Sequence, residues 1–400
     1  MKPPKHKPLW RELFRLRTDA ALTMQAQLRA QVIAAIDNGH LPPDRPLPSS
    51  RELATLLGIA RNTVVIVYEQ LADDGYLIAR KRHGYFPNPA VLAKRIAAPA
   101  ATPVQASAID WEGRLRVHPS RQRNISKEAD WRQYDYPFIY GQFDPALFPA
   151  AEWRACCQQV LSGADAIDWA QDLFARDDAE LLAQVRDKVL PLRGVWAAAE
   201  EIIITTGAQQ ALYLLADLLF DATTEVGIED PCYPDARNIF SLRTARLRPL
   251  PLDAHGLKVG DALRGCRFVY ATPSHQSPTT VTMPVERRIE LLRCAEADDL
   301  LVIEDDYETE TSFAGLPSPA LKSLDRNGRV IYVGSLSKSF APGLRLGYIV
   351  APRPLVEELR ALRRLMIRHP PAFIQRSFAQ FLALGHFDAL NRRLAAAHRE

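Results

Sequence analysis

From about residue 134 onward the chain alternates short, wholly apolar runs with longer helical patterns. Ile202-Ile203-Ile204-Thr205 precedes a helical stretch over 208–219, and Glu225-Val226-Gly227-Ile228 leads into a proline-rich turn. Phe268-Val269-Tyr270, Leu301-Val302-Ile303 and Val330-Ile331-Tyr332-Val333 read as buried parallel strands, with Gly347-Tyr348-Ile349-Val350 as another strand. Strands without polar alternation are covered on both faces, so the pattern predicts an α/β domain whose mostly parallel sheet lies between helices.

The first part of the chain is patterned differently. Residues 21–38 form an amphipathic helical stretch with Leu22, Leu28, Val32 and Ile36 on one side, ended by Gly39. After a proline-rich loop over 42–48, Ser49 or Ser50 is placed to cap a short helix through Leu57, with Glu52 suiting the helix dipole. Gly58 makes a turn, a second helix runs from about Arg61 to Asp73, and Gly75–Ile78 and Gly84–Phe86 read as two short strands around the basic tip Arg80-Lys81-Arg82-His83. Helix, helix-turn-helix and basic hairpin together predict a winged helix over about 14–88. From about Pro89 to Trp131 the composition shifts to Ala, Pro, Ser and Arg with little periodicity, which predicts a linker over 89–133 ahead of a domain spanning 134–400.

Charge follows the same division. Residues 1–95 carry 15 Lys and Arg against 8 Asp and Glu, whereas the rest carries 35 against 39. A basic block on a slightly acidic body points to one domain that meets a polyanion, although a solvated surface gives the same imbalance. The five cysteines are odd in number and lack metal-ligand spacing, so no metal is expected and a reducing, cytoplasmic location fits. No run approaches the length a membrane helix needs, so no membrane partner is expected.

In the winged helix, Arg61, Asn62 and Thr63 open the second helix, where a recognition helix reaches base edges, and Arg51 opens the preceding one, where it can grip phosphate. The tip Arg80, Lys81, Arg82 and His83 can enter a minor groove or hold the backbone. A winged helix can instead serve protein contacts; the basic tip favours operator DNA. The segments Leu47–Ala54, Leu57–Val64, Tyr68–Leu71 and Asp74–Leu77 resemble the GntR family. That resemblance implies DNA contact by Arg51, Arg61, Thr63 and the wing glycine Gly84.

Further along, Lys338 lies in Ser335-Leu336-Ser337-Lys338-Ser339-Phe340-Ala341-Pro342-Gly343-Leu344-Arg345, downstream of Glu304-Asp305-Asp306-Tyr307. An amine, carboxylates, a hydroxyl and a cation are what a pyridoxal 5′-phosphate (PLP) site requires. Taken with Phe143–Pro149, Arg193-Gly194-Val195, Thr206–Ala211, Glu229–Tyr233 and Thr272–Gln276, the order and spacing resemble fold-type I aminotransferases. Joined to the GntR-like head, the chain is similar to the MocR/PdxR-type regulators.

The resemblance implies that Lys338 forms a Schiff base with PLP. It implies that Asp305 pairs with the pyridine nitrogen, with neighbouring Asp306 as the competing choice, and that Tyr307 donates to the ring oxygen. Ser335 and Arg345 would hold the phosphate. Ala208 and Gln209, at a strand-to-helix turn, would add backbone N–H groups. Tyr233 would stack on the ring unless it is an ordinary core aromatic, and His275 is either a ring neighbour or a loop histidine. A homodimer is implied as well.

Three departures from the pattern stand out. The Tyr-Gly-Asp-Pro-type loop, which contributes to the partner subunit's phosphate site, is replaced by Trp169–Asp178, which implies a weaker or different grip. The Pro-Thr-Gly turn becomes Ser277-Pro278-Thr279-Thr280. The chain ends at Arg399-Glu400 within a helical pattern begun near Phe387, implying a C-terminally shortened product or a pocket without the family's carboxylate-binding arginine. The resulting expectation is a DNA-binding regulator that senses PLP, or a PLP–amino compound aldimine, through an aminotransferase-like domain. A working aminotransferase with a DNA-binding head and a DNA binder with a vestigial cofactor site are the alternatives.

Overall fold

The computed structural model describes residues 10–18, 22–93, 109–137, 145–162, 168–307, 319–336, 338 and 340–397. Residues 94–108 of the expected linker, Phe143 and Asp144, and Ser337 and Ser339 beside Lys338 lie outside them. The chain divides into two compact units, Met1–Trp111 and Glu112–Glu400.

In the first unit, helix α1 spans Met24–Asp37, capped by the Thr23 hydroxyl, which accepts from Ala26 N. Leu28, Val32 and Ile36 are fully buried along one side, whereas Leu22 precedes the helix and is exposed. Helix α2 (Ser50–Leu57) is capped by Ser49 rather than Ser50, and Gly58 closes it in the left-handed region at φ +69°. Helix α3 spans Arg61–Asp73, as the patterning predicts. Strands β1 (Leu77–Arg80) and β2 (Gly84–Pro87) pair antiparallel with Arg80 opposite Gly84. Arg80 therefore belongs to the wing strand, and Lys81–His83 form the turn. Tyr68 O–H donates to Pro48 O at 3.0 Å, tying α3 to the proline-rich loop within one shared core.

The second unit is built on an eight-stranded sheet. Its strands are β3 (Ile202–Thr205), β4 (Val226–Asp230), β5 (Leu247–Asp253), β6 (Gly256–Leu257), β7 (Phe268–Ala271), β8 (Leu301–Asp306), β9 (Val330–Ser335) and β10 (Gly347–Val350), in spatial order 3-10-9-8-7-4-5-6. β9, β8, β7, β4 and β5 run parallel; β10 is antiparallel to both β3 and β9, and β6 to β5.

Alternate residues feed two cores. Ile202, Ile204, Tyr332 and Tyr348 pack on one face with Phe378 and Phe381. Ile203, Val333, Ile349 and Tyr270 pack on the other with helix α5 (Ala208–Leu219). Helices α4 (Ala150–Ser162, which buries Cys156), α6 (Pro234–Ser241), α7 (Val285–Ala297), α8 (Arg353–Ile367), α9 (Ala372–Ala383) and α10 (His386–Ala397) complete the cover. Burial on both faces explains why these strands lack polar alternation. No helix among the described residues is long and apolar enough to cross a membrane.

One boundary differs from the compositional reading. Residues 112–133 belong to the second unit although their sequence looks like linker. Gln122 Nε2 donates to Asn238 O and Ser241 Oγ, both at 3.0 Å, and Arg123 O accepts from Asn238 Nδ2 at 2.9 Å and Arg237 Nη2 at 3.2 Å. Polar backbone anchoring of this kind has no hydrophobic period to betray it.

Candidate functional site

Two surfaces merit attention, one in each unit. In the first, Arg51 and Arg61 stand exposed at the N-termini of α2 and α3, linked where Arg61 Nε donates to Ser50 Oγ at 3.4 Å. Asn62 is exposed beside them and Thr63 half-buried. Lys81, Arg82, His83 and Gly84 project at the wing turn, with Arg82 and Gly84 at positive φ, while the Arg80 guanidinium lies 4.3 Å over the Phe86 ring. Leu47 N–H donates to Tyr85 O at 2.8 Å, so the wing adjoins the loop that leads into α2. This arrangement brings the expected DNA-facing cations to helix N-termini and a protruding turn, positions suited to base edges and phosphates.

In the second unit a cavity of about 400 Å³ opens at the carboxyl ends of the parallel strands, where open α/β sheets bind ligands. Asp305, Tyr307, Ser335, Lys338 and Arg345 line it, as do Gly207, Ala208, Gln209 and Tyr233 from the β3–α5 and β4–α6 turns. Of the residues singled out from sequence, His275 is not among the lining; it sits edge-on to Tyr307, ring centroids 6.0 Å apart. Lys338 Nζ lies 3.8 Å from the centre of the Tyr307 ring, a cation–π contact that holds the amine at the cavity wall.

The two adjacent aspartates have different surroundings. Asp306 is occupied: Arg193 Nε donates to its Oδ2 at 2.8 Å, Tyr332 O–H donates to the same atom at 2.7 Å, and Arg193 Nη2 reaches Oδ1 at 3.4 Å. Burial alone would pull the Arg193 pKa down, yet the Asp306 charge and hydrogen bond raise it, so the guanidinium stays charged. Asp305, one residue along β8, faces the other way. Its Oδ2 accepts from Tyr270 O–H at 2.8 Å, but its buried Oδ1 has no hydrogen-bond partner. Burial pushes this carboxyl up to about 6, against the Tyr270 hydrogen bond and the Lys338 charge, which lower it. A buried acceptor left open is costly unless something with an N–H fills the space beside it.

The far end of the cavity is built for an anion. Gly207 caps α5 at φ +89°, and a Cβ there would lie 3.0 Å from Arg345 Nη2, so the guanidinium rests directly on the glycine backbone. The first N–H groups of α5 and the helix dipole add to that positive end, with Ser335 nearby as a hydroxyl. Tyr233 is fixed by its hydroxyl, which donates to Asp235 Oδ2 at 3.0 Å; Gln209 Nε2 donates to the same oxygen at 3.1 Å. Asp305, the anion cradle and Lys338 therefore fit a pyridine nitrogen, a phosphate and an aldehyde carbon respectively.

Several supporting residues were given no role from the sequence. Glu229, buried at the end of β4, accepts from Thr272 N, Thr272 Oγ1 and Gln276 Nε2 and so shapes the 272–277 loop; burial raises it to about 7. Arg288, fully buried, donates to the Met283, Pro273 and Pro319 carbonyls. Arg193 stands in the Arg-Gly-Val segment but was given no role from sequence, and the roles of Tyr270 and Asp235 become visible only through the contacts they make in the fold. Asn124, Ile125 and Lys127 also line the cavity, from the stretch that composition marks as linker. The unusual loop over 169–178 is bonded to its own chain. Asp177 pairs with Arg360 and Arg363, Asp178 with Arg376 at 2.7 Å, and Leu173 N–H donates to His369 Nε2.

Comparison with known proteins places these units among characterised relatives. Residues 159–398 match the family described as aminotransferase class I and II, and residues 24–86 match the bacterial regulatory proteins of the gntR family. The HTH-type transcriptional regulator TauR of Rhodobacter capsulatus is 42% identical over 97% of this chain and 80% of its own length. The probable rhizopine catabolism regulatory protein MocR of Rhizobium meliloti is 32% identical over 96% and 77%. The HTH-type pyridoxine biosynthesis transcriptional regulator PdxR of Corynebacterium glutamicum is 31% identical over 94% and 77%. Among solved structures, Pyrococcus horikoshii kynurenine aminotransferase aligns with a TM-score of 0.60 at 26% identity, covering 64% of this chain and 65% of that one, under two thirds of its length. The α-aminoadipate aminotransferase LysN of Thermus thermophilus aligns at 0.59 with 31% identity over 65% and 67%.

Proposed function

This chain belongs to the GntR-family transcriptional regulators of the MocR and PdxR type, and from that premise we propose that its aminotransferase-like unit holds PLP as a sensory cofactor and reads a small amino compound through it. The observation that carries the reading is the open Oδ1 of buried Asp305, beside an Asp306 wholly committed to Arg193 and Tyr332. A structural carboxylate at this depth would have been paired like its neighbour; this one is left facing the cavity.

The cofactor, when bound, supplies an aldehyde that reacts with primary amines. The rest is the work of the chain's own residues. Lys338 presents its amine from the Tyr307 ring face. Asp305, oriented by Tyr270, would accept from the ring nitrogen and keep it protonated. Arg345, Ser335 and the N-terminus of α5 would hold the phosphate, and Tyr233 would flank the ring.

Regulation requires the amino compound to bind two states of the protein unequally, because only differential affinity shifts an equilibrium. In this reading the states differ in how a dimer offers its two winged helices to two operator half-sites. Arg51, Arg61, Asn62, Thr63 and the wing residues make the DNA contacts. The test is purification of the full chain with PLP, followed by visible absorbance and gel shift. The expected result is a bound chromophore lost in Lys338→Ala, and an operator affinity that changes when amines are added. Operator binding indifferent to both PLP and amines would sink the sensing reading.

A further inference from the structure

The loop over 169–178, where the sequence leaves the aminotransferase pattern, borders a second cavity of the same unit. Its volume is about 330 Å³, at the small end of small-molecule sites, and α9 closes it with Ala372 and Arg376. It shares no lining residue with the cofactor cavity. Trp169, Leu173 and Ala372 give it an apolar wall, and the Trp169 ring stands edge-on to Phe373, centroids 5.4 Å apart.

The acidic residues of the wall are already committed. Buried Asp177 pairs with Arg360 and Arg363 of α8. Asp178, also buried, accepts from Leu181 N–H at 2.9 Å and pairs with Arg376 at 2.7 Å. The indole N–H of Trp169 is different: its nitrogen is buried and has no hydrogen-bond partner among the described residues. A buried donor left in that state is costly unless an acceptor reaches it. Arg176 and the Gln171 amide stand exposed at the rim.

Charge points the same way. Taking the wall and the side chains paired with it, four guanidiniums (Arg176, Arg360, Arg363, Arg376) meet three carboxylates (Asp177, Asp178, Glu180). The cavity therefore offers a buried N–H, an amide and a positive excess beside an apolar surface.

We propose that this cavity binds a small organic carboxylate. Its apolar body lies against Trp169, Leu173 and Ala372, and its carboxylate takes the indole N–H and the Arg176 guanidinium. Two oxygens on one planar group serve a single N–H and an arginine fork together. Inorganic phosphate would satisfy the cations but leave the apolar wall wet. Such a ligand ties the start of the loop to its end, since Trp169 opens it and Arg176 lies near its close. The site is independent of the cofactor reading.

The experiment uses the full chain labelled with 5-fluorotryptophan and followed by fluorine NMR. Among the six tryptophans, Trp169 is assigned by the resonance missing from Trp169→Phe. Benzoate is titrated beside benzamide, which keeps the ring without the charge, and beside inorganic phosphate, each with and without PLP. Benzoate is expected to shift the Trp169 resonance saturably, at the same concentration whether or not PLP is present. It should bind about tenfold more tightly than benzamide or phosphate. In calorimetry, Arg176→Gln should weaken benzoate about tenfold and leave benzamide unchanged. Trp169→Phe, which keeps a ring beside Phe373 and removes the N–H, should weaken benzoate by about the same factor.

A Trp169 resonance that ignores benzoate would overturn the proposal. Benzamide or phosphate binding as tightly as benzoate, or unchanged benzoate affinity in Arg176→Gln, would do the same. So would a Trp169 resonance that responds to protein concentration in place of benzoate, because a second copy of the chain would then cover the cavity. Each of these results leaves PLP binding at Lys338 untouched.

Discussion

Replacing Asp305 by Asn should make the cofactor-free protein more stable while depriving it of its ligand. The magnitude follows from the carboxyl's shift, from an ordinary 3.8 to about 6, caused chiefly by burial. At roughly 1.4 kcal/mol per pH unit, the ionised carboxylate costs the folded state about 3 kcal/mol. Below about pH 4 the group is protonated whether folded or not, and that cost is absent. As pH rises from about 4 through 6 the unfolded chain gives up its proton first, so native stability falls; above about 6 the full cost is present. Asn resembles the protonated acid and keeps an oxygen for the Tyr270 hydroxyl, so Asp305→Asn escapes the loss.

Urea unfolding without PLP should therefore show a gain of about 2–3 kcal/mol at about pH 8 that shrinks toward zero near pH 4. Adding PLP at a hundredfold its dissociation constant should stabilise the native chain by about 2.7 kcal/mol and do much less for the variant. A variant that is less stable at pH 8 than at pH 4 relative to the native chain would refute the argument, because it would mean that Asp305 is a paired structural carboxylate. A functional group kept at the expense of stability is the general pattern at ligand sites.

Other substitutions probe the remaining parts. Arg193→Met should destabilise the second unit by about 3–5 kcal/mol in urea, since Asp306 would be left charged and buried with only Tyr332; a loss under 1 kcal/mol would show that the pair is not holding β8 in place. Gly207→Ala puts a methyl against Arg345 at φ +89°, and equilibrium dialysis should show PLP affinity reduced about tenfold, together with about 1–3 kcal/mol of backbone strain. Arg61→Ala should cost about 1–3 kcal/mol in gel shifts on an operator selected from random DNA and relax preference at the contacted base pair; unchanged affinity would remove Arg61 from the interface.

Local patterning carried much of this molecule. The Ser49 cap, Gly58 and the Arg61–Asp73 helix follow from residues a few positions apart, as does the run of apolar strands, because caps, turns and two-sided burial leave their mark in adjacent residues. Lys338, Arg345 and Ala208-Gln209 were legible for a similar reason: a turn after a strand brings them to the sheet's carboxyl edge. Pairing across the sheet was not. Whether Asp305 or Asp306 faces the cavity depends on Arg193 arriving from 113 residues away and on Tyr270 from the next strand. Sequence left His275 between a ring neighbour and a loop histidine, and only the folded loop places it at the edge of Tyr307. Composition also read residues 112–133 as linker, whereas they fall within the second unit, where Gln122 and Arg123 bond α6 through amides and carbonyls that leave no apolar period to read. The sequence by itself therefore determined the two kinds of domain and the chemical inventory, since those reside in local periodicity and residue type. Only the tertiary structure decided which aspartate stays open, and that the chain leading to the winged helix forms a wall of the site, because both depend on long-range contacts.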